Sequence, residues 1–373
     1  IGKTLIEIIK KDKKNYSTIL LTANKNYKKL YNQALMLNAK NLIITDKKSF
    51  NILSKKTKNL DINVFNNFNS FEKIFKKKID YVMSSIIGID GLLPTLKVIK
   101  YTKNIAISNK ESIICGWNLI NNKLKKHQTK FIPVDSEHFS IWYGLLNNDR
   151  EIDKVILTAS GGPFHKLPLS KFKKININQA LKHPNWRMGN KITIDSSTMI
   201  NKIFEIIEAK NIFNLRYDNI DILIHPQSYV HALIKFKDGL IKIIAHDTTM
   251  KIPIANSLIS YDKKFFSTNK IDINKLNNLN FKKINEKKFP MVKLLKFLPN
   301  NHSLFETIIV SANDTLVNLF LNKKINFIDI HKFLFKLISL KEFNKYKKLK
   351  PNKVEDILKL NKYVNFKINQ LSI

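Results

Sequence analysis

The sequence predicts an α/β fold in three parts: a doubly wound parallel sheet, a central α/β domain and a C-terminal helical bundle. Three observations predict it. Short apolar runs alternate with helical patterns over residues 1–134, which implies parallel strands with helices on both faces. Further strand-like runs at 222–225, 230–236 and 240–245, with a hairpin turn at Lys237-Asp238-Gly239, imply a second sheet. From Pro290 onward the apolar spacing is helical.

In chain order, residues 4–10 read as a helix, followed by an apolar run at 17–23 and a helix at 27–37. Apolar runs at 42–45, 81–86, 105–108 and 131–134 then alternate with helical patterns at 92–101 and 111–125. A helix over 138–146 follows Asp135-Ser136-Glu137. Residues 164–188 are aromatic with little regular pattern and suit a lid over a substrate. Residues 261–289 are rich in Lys and Asn and read as a linker. Helices are expected at 291–297, 304–321, 328–339 and 354–371. The division is then 1–134, 135–260, 261–289 and 290–373.

Composition narrows the function. Hydrophobic residues make up 44% of the chain, which argues for a packed core and against disorder. No apolar run is long enough to span a bilayer, and no signal-peptide pattern is present. A single cysteine, Cys115, fits a reducing compartment, hence a cytoplasmic protein. The formal net charge of +36 raises nucleic acid as a partner. Of the 65 basic residues only Arg150, Arg187 and Arg216 are arginine, and the lysines are spread along the chain. Specific base readout favours arginine forks, so weak, salt-sensitive attraction to polyanions is expected instead. The excess of Lys, Asn and Ile suits an AT-rich genome.

The chemistry centres on residues 183–189 (His-Pro-Asn-Trp-Arg-Met-Gly) and the helix that follows Asp195-Ser196-Ser197-Thr198. Ile200, Ile203, Phe204 and Ile207 share one buried face; Asn201, Glu205 and Glu208 share a polar one. Asp195 or one of the serines would cap the helix. A hydroxyl-rich helix start followed by Asn201 and Lys202 suits a phosphate. In an extended segment Asp135 and Glu137 project to one side and form hard oxygen ligands for Mg²⁺ or Mn²⁺, with Glu205 or Glu208 as the third carboxylate. The same residues would equally serve as a helix cap. Ser160 with Gly161 and Gly162 offers a hydroxyl and close backbone amides to an anion, or an ordinary turn. Asn24-Lys25-Asn26 and Ser108-Asn109-Lys110-Glu111-Ser112 each follow a strand, where doubly wound sheets bind ligands. His225 and His231, alone, read as structural.

Side by side, these stretches resemble the 1-deoxy-D-xylulose 5-phosphate reductoisomerase family. The resemblance rests on residues 106–112, 133–138, 158–164, 183–189, 192–208 and 225–228, with a weaker match at 311–314 and 327–330. It implies a Rossmann-like NADPH-binding domain, a central catalytic domain, a linker and a C-terminal helical domain, in a cytoplasmic bacterial homodimer or a plastid-type organelle. The implied reaction converts 1-deoxy-D-xylulose 5-phosphate to 2-C-methyl-D-erythritol 4-phosphate, using NADPH and Mg²⁺ or Mn²⁺, with Co²⁺ as a substitute. No specific nucleic acid and no membrane is implied.

Carried over by resemblance, Asp135, Glu137 and Glu205 hold the metal. Lys110 and Ser136 meet the substrate hydroxyls, and Ser160, His183, Ser196, Asn201 and Lys202 surround its phosphate. Trp186 and Met188 belong to the lid, and His231 joins the catalytic set. Ile1, Asn24, Lys25, Asn26, Asn109, Glu111 and Gly189 are cofactor-binding. The chain departs from the family in four places. The Gly-rich phosphate turn is represented only by Ile1-Gly2, so a preceding strand and turn are expected upstream. Asn24 and Thr249 stand where Gly and Asp are usual, and Ile203-Phe204 replaces Gly-Leu, which calls for repacking. A decayed, inactive relative and a basic polyanion-binding protein are the competing readings.

Overall fold

In a computed structural model, residues 1–258 and 269–372 are described. The first part of the expected linker, 261–268, lies outside them. The N-terminal region runs α1 (Gly2–Lys11), β1 (Leu20–Ala23), α2 (Tyr27–Leu37), β2 (Asn41–Ile44), α3 (Lys47–Lys56) and β3 (Asn63–Phe65). It continues through α4 (Phe71–Ile74), β4 (Ile79–Ser84), α5 (Leu92–Val98), β5 (Thr102–Ile107), α6 (Lys110–His127) and β6 (Lys130–Pro133). All strands are parallel, but they form two three-stranded sheets, β1-β2-β3 and β4-β5-β6, where one sheet was expected. The doubly wound order would put one further strand between β1 and β4. None of the described residues forms it, so the two edges stay apart.

Side-chain caps set several helix starts. The Asn26 side chain accepts from Lys29 N at 3.0 Å and opens α2; Asn38 closes it in the left-handed conformation. Asp46 accepts from Ser49 N at 2.9 Å and opens α3. Neither α3 nor β3 is visible in the apolar spacing, because α3 is lysine-rich and buries only Ser49 and Leu53. Gly116 lets α6 lie close to α5: a Cβ there would stand 2.6 Å from the Leu92 side chain.

The central sheet has the order β10-β9-β7-β8-β11. Its strands are β7 (Ile152–Ala159), β8 (Ile220–Ile224), β9 (Val230–Phe236), β10 (Ile241–Ala245) and β11 (Lys282–Lys283). β7 and β8 pair in parallel and the other neighbours antiparallel. β11 belongs to the stretch expected as linker, and its pairing with β8 ties that stretch to the sheet. Two helices cover the sheet, α7 (Ser136–Leu145) and a long helix ending at Phe213. Ile141, Val155, Leu157, Ile206, Ala209, Ile234 and Phe236 form the core between them.

The long helix differs from expectation. A short α8 (Ile177–Ala180) precedes α9 (Asn190–Thr198) and α10 (Ile200–Phe213), which join at Met199 with φ +70°. Asp195 and the serines therefore lie inside α9 and cap nothing. Asp195 is instead drawn to Asn313 Nδ2 at 2.8 Å and Lys191 Nζ at 3.3 Å. Ile200, Ile203, Phe204 and Ile207 are fully buried, so the bulk of Ile203-Phe204 is accommodated in the core.

The remaining helices are α11 (Lys251–Ser257), α12 (Ile273–Asn277), α13 (Phe305–Leu321), α14 (Phe327–Ile338) and α15 (Val354–Leu371). The helix expected at 291–297 is a 3₁₀ segment, Pro290–Lys296, opened by proline. α13 is buried almost all round, against α6, α9, α14 and α15. The first half of the expected lid is also part of this core: Phe164 and Phe172 pack on Phe327, at ring distances of 5.2 and 6.4 Å. Among the described residues no helix is long and apolar enough to cross a membrane.

Candidate active site

A cleft of about 360 Å³ opens where α6, α7, α9, α10 and β7 meet. Its wall contains Lys110, Asp135, Ser136, Glu137, Ser160, His183, Trp186, Met188, Ser196, Asn201, Lys202, Glu205 and His231, which are expected site residues. Ile1 and Gly189 border it as well. A larger groove, about 680 Å³, runs between α5, α6 and the start of α15. It has no convergent carboxylates or histidine pairs, and the chemistry lies in the smaller cleft.

Oxygens of Asp135, Glu137 and Glu205 lie within 4.8 Å of one another. The convergence is not produced by a strand pleat, as expected. Asp135 caps α7 through Ser136 N at 2.9 Å, and Glu137 sits in the first turn. A helix start turns the two side chains together, and α10 brings Glu205 across from a distant part of the chain.

Two buried lysines neutralise part of this charge. Lys202 Nζ is 2.8 Å from Glu137 Oε1 and also contacts Glu205. Lys110 Nζ is 3.2 Å from Asp135 and 3.5 Å from Glu205. Asn201 bridges them: its Oδ1 accepts from Lys110 at 2.7 Å, and its amide donates to Glu205. Ser136 Oγ donates to Glu137 Oε2 at 2.6 Å. Burial would discharge Lys110, but Asp135, Glu205, Glu208 and Glu137 outweigh it and hold the ammonium charged. Burial also works on Glu137, yet Lys202, with a hydrogen bond from Ser136, keeps its carboxyl well below the usual range. Glu205 goes the other way: burial, then Glu137, push it up to about 7. Glu208, buried beside them, is also raised well above the usual range, first by burial. Glu205, poised at about 7, is the carboxyl that a cation would hold ionised, and the hard oxygens of Asp135, Glu137 and Glu205 suit one divalent cation.

At the other end of the cleft the histidines have defined tautomers. Trp186 N and Asn185 N donate to His183 Nδ1 at 2.9 and 3.2 Å. The ring proton is therefore on Nε2, which donates to Ser160 Oγ at 3.0 Å. Burial lowers the His183 pKa to about 4, so it stays neutral. Gly162 N also donates to Ser160 Oγ, at 3.1 Å, which leaves the serine's own proton for a ligand. Gly161 and Gly162 both have positive φ, and a Cβ on Gly162 would stand 2.9 Å from Ser196 O. The loop therefore needs glycine to approach α9. His231, in the cleft wall, has its pKa lowered to about 3 by burial and then by His246. His225 is structural: its Nδ1 donates to Asn280 O at 2.9 Å and its Nε2 accepts from Val230 N.

Five expected residues stand outside the cleft. Asn24, Lys25 and Asn26 follow β1; Asn24 donates to Thr45 Oγ1 at 2.8 Å, and Asn26 is occupied as a cap. Asn109 caps α6 through Ser112 N at 2.8 Å. Glu111 is buried against Lys191, at 2.5 Å. Sequence reasoning missed His138 and His246. His138 Nε2 donates to the Glu205 carbonyl at 2.8 Å, and its Nδ1 lies 3.8 Å from Asp135 Oδ2. Its place directly after Asp-Ser-Glu was the available signal.

Comparison with known proteins agrees with this geometry. Family models described as 1-deoxy-D-xylulose 5-phosphate reductoisomerase, its C-terminal domain, and DXP reductoisomerase C-terminal domain match residues 1–116, 131–213 and 247–365. The chain is 58% identical to 1-deoxy-D-xylulose 5-phosphate reductoisomerase of Pelagibacter ubique, over 100% of this chain and 97% of that protein. It is 37% identical to that of Sulfurihydrogenibium sp., over 92% and 89%. Among solved structures, the enzyme from Zymomonas mobilis in complex with NADPH superposes with a TM-score of 0.88 at 30% identity, over 100% and 96%. A DOX-P reductoisomerase with NADPH, fosmidomycin and magnesium superposes at 0.90, with 28% identity over 100% and 95%.

Proposed function

This chain belongs to the 1-deoxy-D-xylulose 5-phosphate reductoisomerase family, and we propose that its cleft converts 1-deoxy-D-xylulose 5-phosphate to 2-C-methyl-D-erythritol 4-phosphate. The carrying observation is the carboxylate trio Asp135, Glu137 and Glu205, oxygens within 4.8 Å, in one cleft with Ser160 and His183. The enzyme uses NADPH and a divalent ion such as Mg²⁺. A complete trio at 58% identity over the whole chain speaks against a decayed relative. It also leaves polyanion binding as a side effect of lysine charge.

When bound, the metal ion supplies a Lewis acid for the substrate's carbonyl and hydroxyl oxygens, and NADPH supplies hydride. The residues of the chain do the rest. Asp135, Glu137 and Glu205 hold the ion. Lys110 and Ser136 orient the substrate hydroxyls, and Lys110 stays a cation beside them. Neutral His183 donates a hydrogen bond from Nε2 to Ser160 Oγ and so aims the serine's own proton at the phosphate, which the hydroxyl receives with Ser196 and Asn201. Lys202 holds Glu137 and Glu205 in place. Trp186 and Met188 cover the substrate and exclude water. Ile1, Gly189, Asn24 and Lys25 lie where the dinucleotide would run, at the carboxyl ends of the strands. Asn26, Asn109 and Glu111 shape that surface through their caps and the Lys191 pair.

The four-part division given by the sequence serves this arrangement: 1–134 for NADPH, 135–260 for catalysis, 261–289 linking, and 290–373 as helical support. We place the protein in the cytoplasm of a bacterium, as a homodimer. The support for a dimer is strand β10, an edge strand, with Ile241 and Ile243 and the preceding Leu240 exposed. An Ile243→Asp chain that sediments as the parent does removes this interface.

The function is tested by NADPH oxidation that requires both the sugar phosphate and Mg²⁺ or Mn²⁺. Glu205→Gln abolishes it with the fold intact. Near-normal turnover by that variant refutes the assignment.

A further inference from the structure

The cleft has an aromatic column whose base no role above explains. Trp186 stands edge-on to His231, at a ring distance of 6.2 Å and 70°. His231 stacks flat on His246, at 3.8 Å and 17°. His246 in turn meets Phe139 of α7 edge-on, at 6.2 Å. The column therefore runs from the segment over the cleft to the helix that carries Ser136 and Glu137.

Hydrogen bonds define both rings. His231 Nε2 donates to the His246 carbonyl at 3.2 Å, and His246 Nδ1 donates to the Asp247 carbonyl at 2.8 Å. Each ring thus has one nitrogen fixed as a donor, and burial, which lowers both pKa values, keeps the stacked pair neutral. The remaining nitrogen, His246 Nε2, is buried with no hydrogen-bond partner. A histidine kept for its hydrogen bonding would use that atom. The contribution of His246 lies in the flat face it offers.

We propose that His246 is a positioning residue: its ring is the platform that holds His231 beneath Trp186 and so sets how tightly the cover closes on substrate. This rests on the function proposed above but assigns a residue outside the cleft wall. His246 is not among the residues that line the cleft, and it acts through His231.

His246→Ala and His246→Phe test it. Removing the ring raises KM for the sugar phosphate about three- to tenfold and leaves kcat within about twofold. Phenylalanine keeps the face and returns KM to within about twofold. Acrylamide quenching of Trp186, in chains whose Trp117 and Trp142 are phenylalanine, rises with alanine and stays at the parental level with phenylalanine. An unchanged KM and unchanged quenching in His246→Ala overturn the proposal. So does a phenylalanine variant as impaired as the alanine one. A parent chain without turnover defeats the proposed function, while the quenching still decides the role of His246.

Discussion

Lys202 Nζ lies 2.8 Å from Glu137 Oε1, and the lysine side chain is only 4% exposed. The same ammonium contacts Glu205. In the metal-free chain this lysine supplies part of the positive charge that the ion brings. Cation and lysine therefore compete for the same carboxylates.

Lys202→Met separates the two. Removing one partner of a buried pair costs about 3–5 kcal/mol, because a buried carboxylate is left uncompensated. Denaturant unfolding without divalent ions shows that loss, and added Mg²⁺ restores part of it. Mn²⁺ affinity stays equal to the parent's or tightens, while turnover falls.

Glu306, fully buried in α13, is pushed up to about 7, first by burial. Ser303 N and Oγ donate to its Oε2, at 3.1 and 2.6 Å, and a glutamine oxygen accepts the same bonds. The folded pKa lies above the unfolded one, so the native state binds more protons between them. Stability from this group is present below about pH 4.5 and lost as pH rises through about 7. Relative to Glu306→Gln, the parent loses about 3 kcal/mol across that window, measured by urea unfolding at each pH.

Gly162→Ala strains a φ of +62° and drives a Cβ to 2.9 Å from Ser196 O. The loss is about 1–3 kcal/mol of stability. Because α9 must yield, KM for the sugar phosphate rises as well. Gly189→Ala is the control for stability only: nothing lies within 4 Å of its Cβ position, and φ is an ordinary −67°.

What could be read from the sequence follows the range of the forces involved. Helix α2 appears over its full span, because its apolar spacing and its Asn26 cap are local. The metal trio was legible from the Asp-Ser-Glu-His stretch and the Glu205 face of α10. The geometry that joins it was not, since an N-cap, not a strand, turns Asp135 and Glu137 together. Nor could the partner of Asp195 be read, since Asn313 meets it from 118 residues away. The split parallel sheet depends on which strands become neighbours. His246 gave no signal, because its role exists only once His231 stacks on it.

Manganese binding by titration calorimetry tests the central claim most directly. The parent chain takes up one ion per chain, and Glu205→Gln or Asp135→Asn each weakens binding at least about tenfold. A parent that takes up no ion, or a Glu205→Gln chain that binds as the parent does, contradicts a shared metal at Asp135, Glu137 and Glu205.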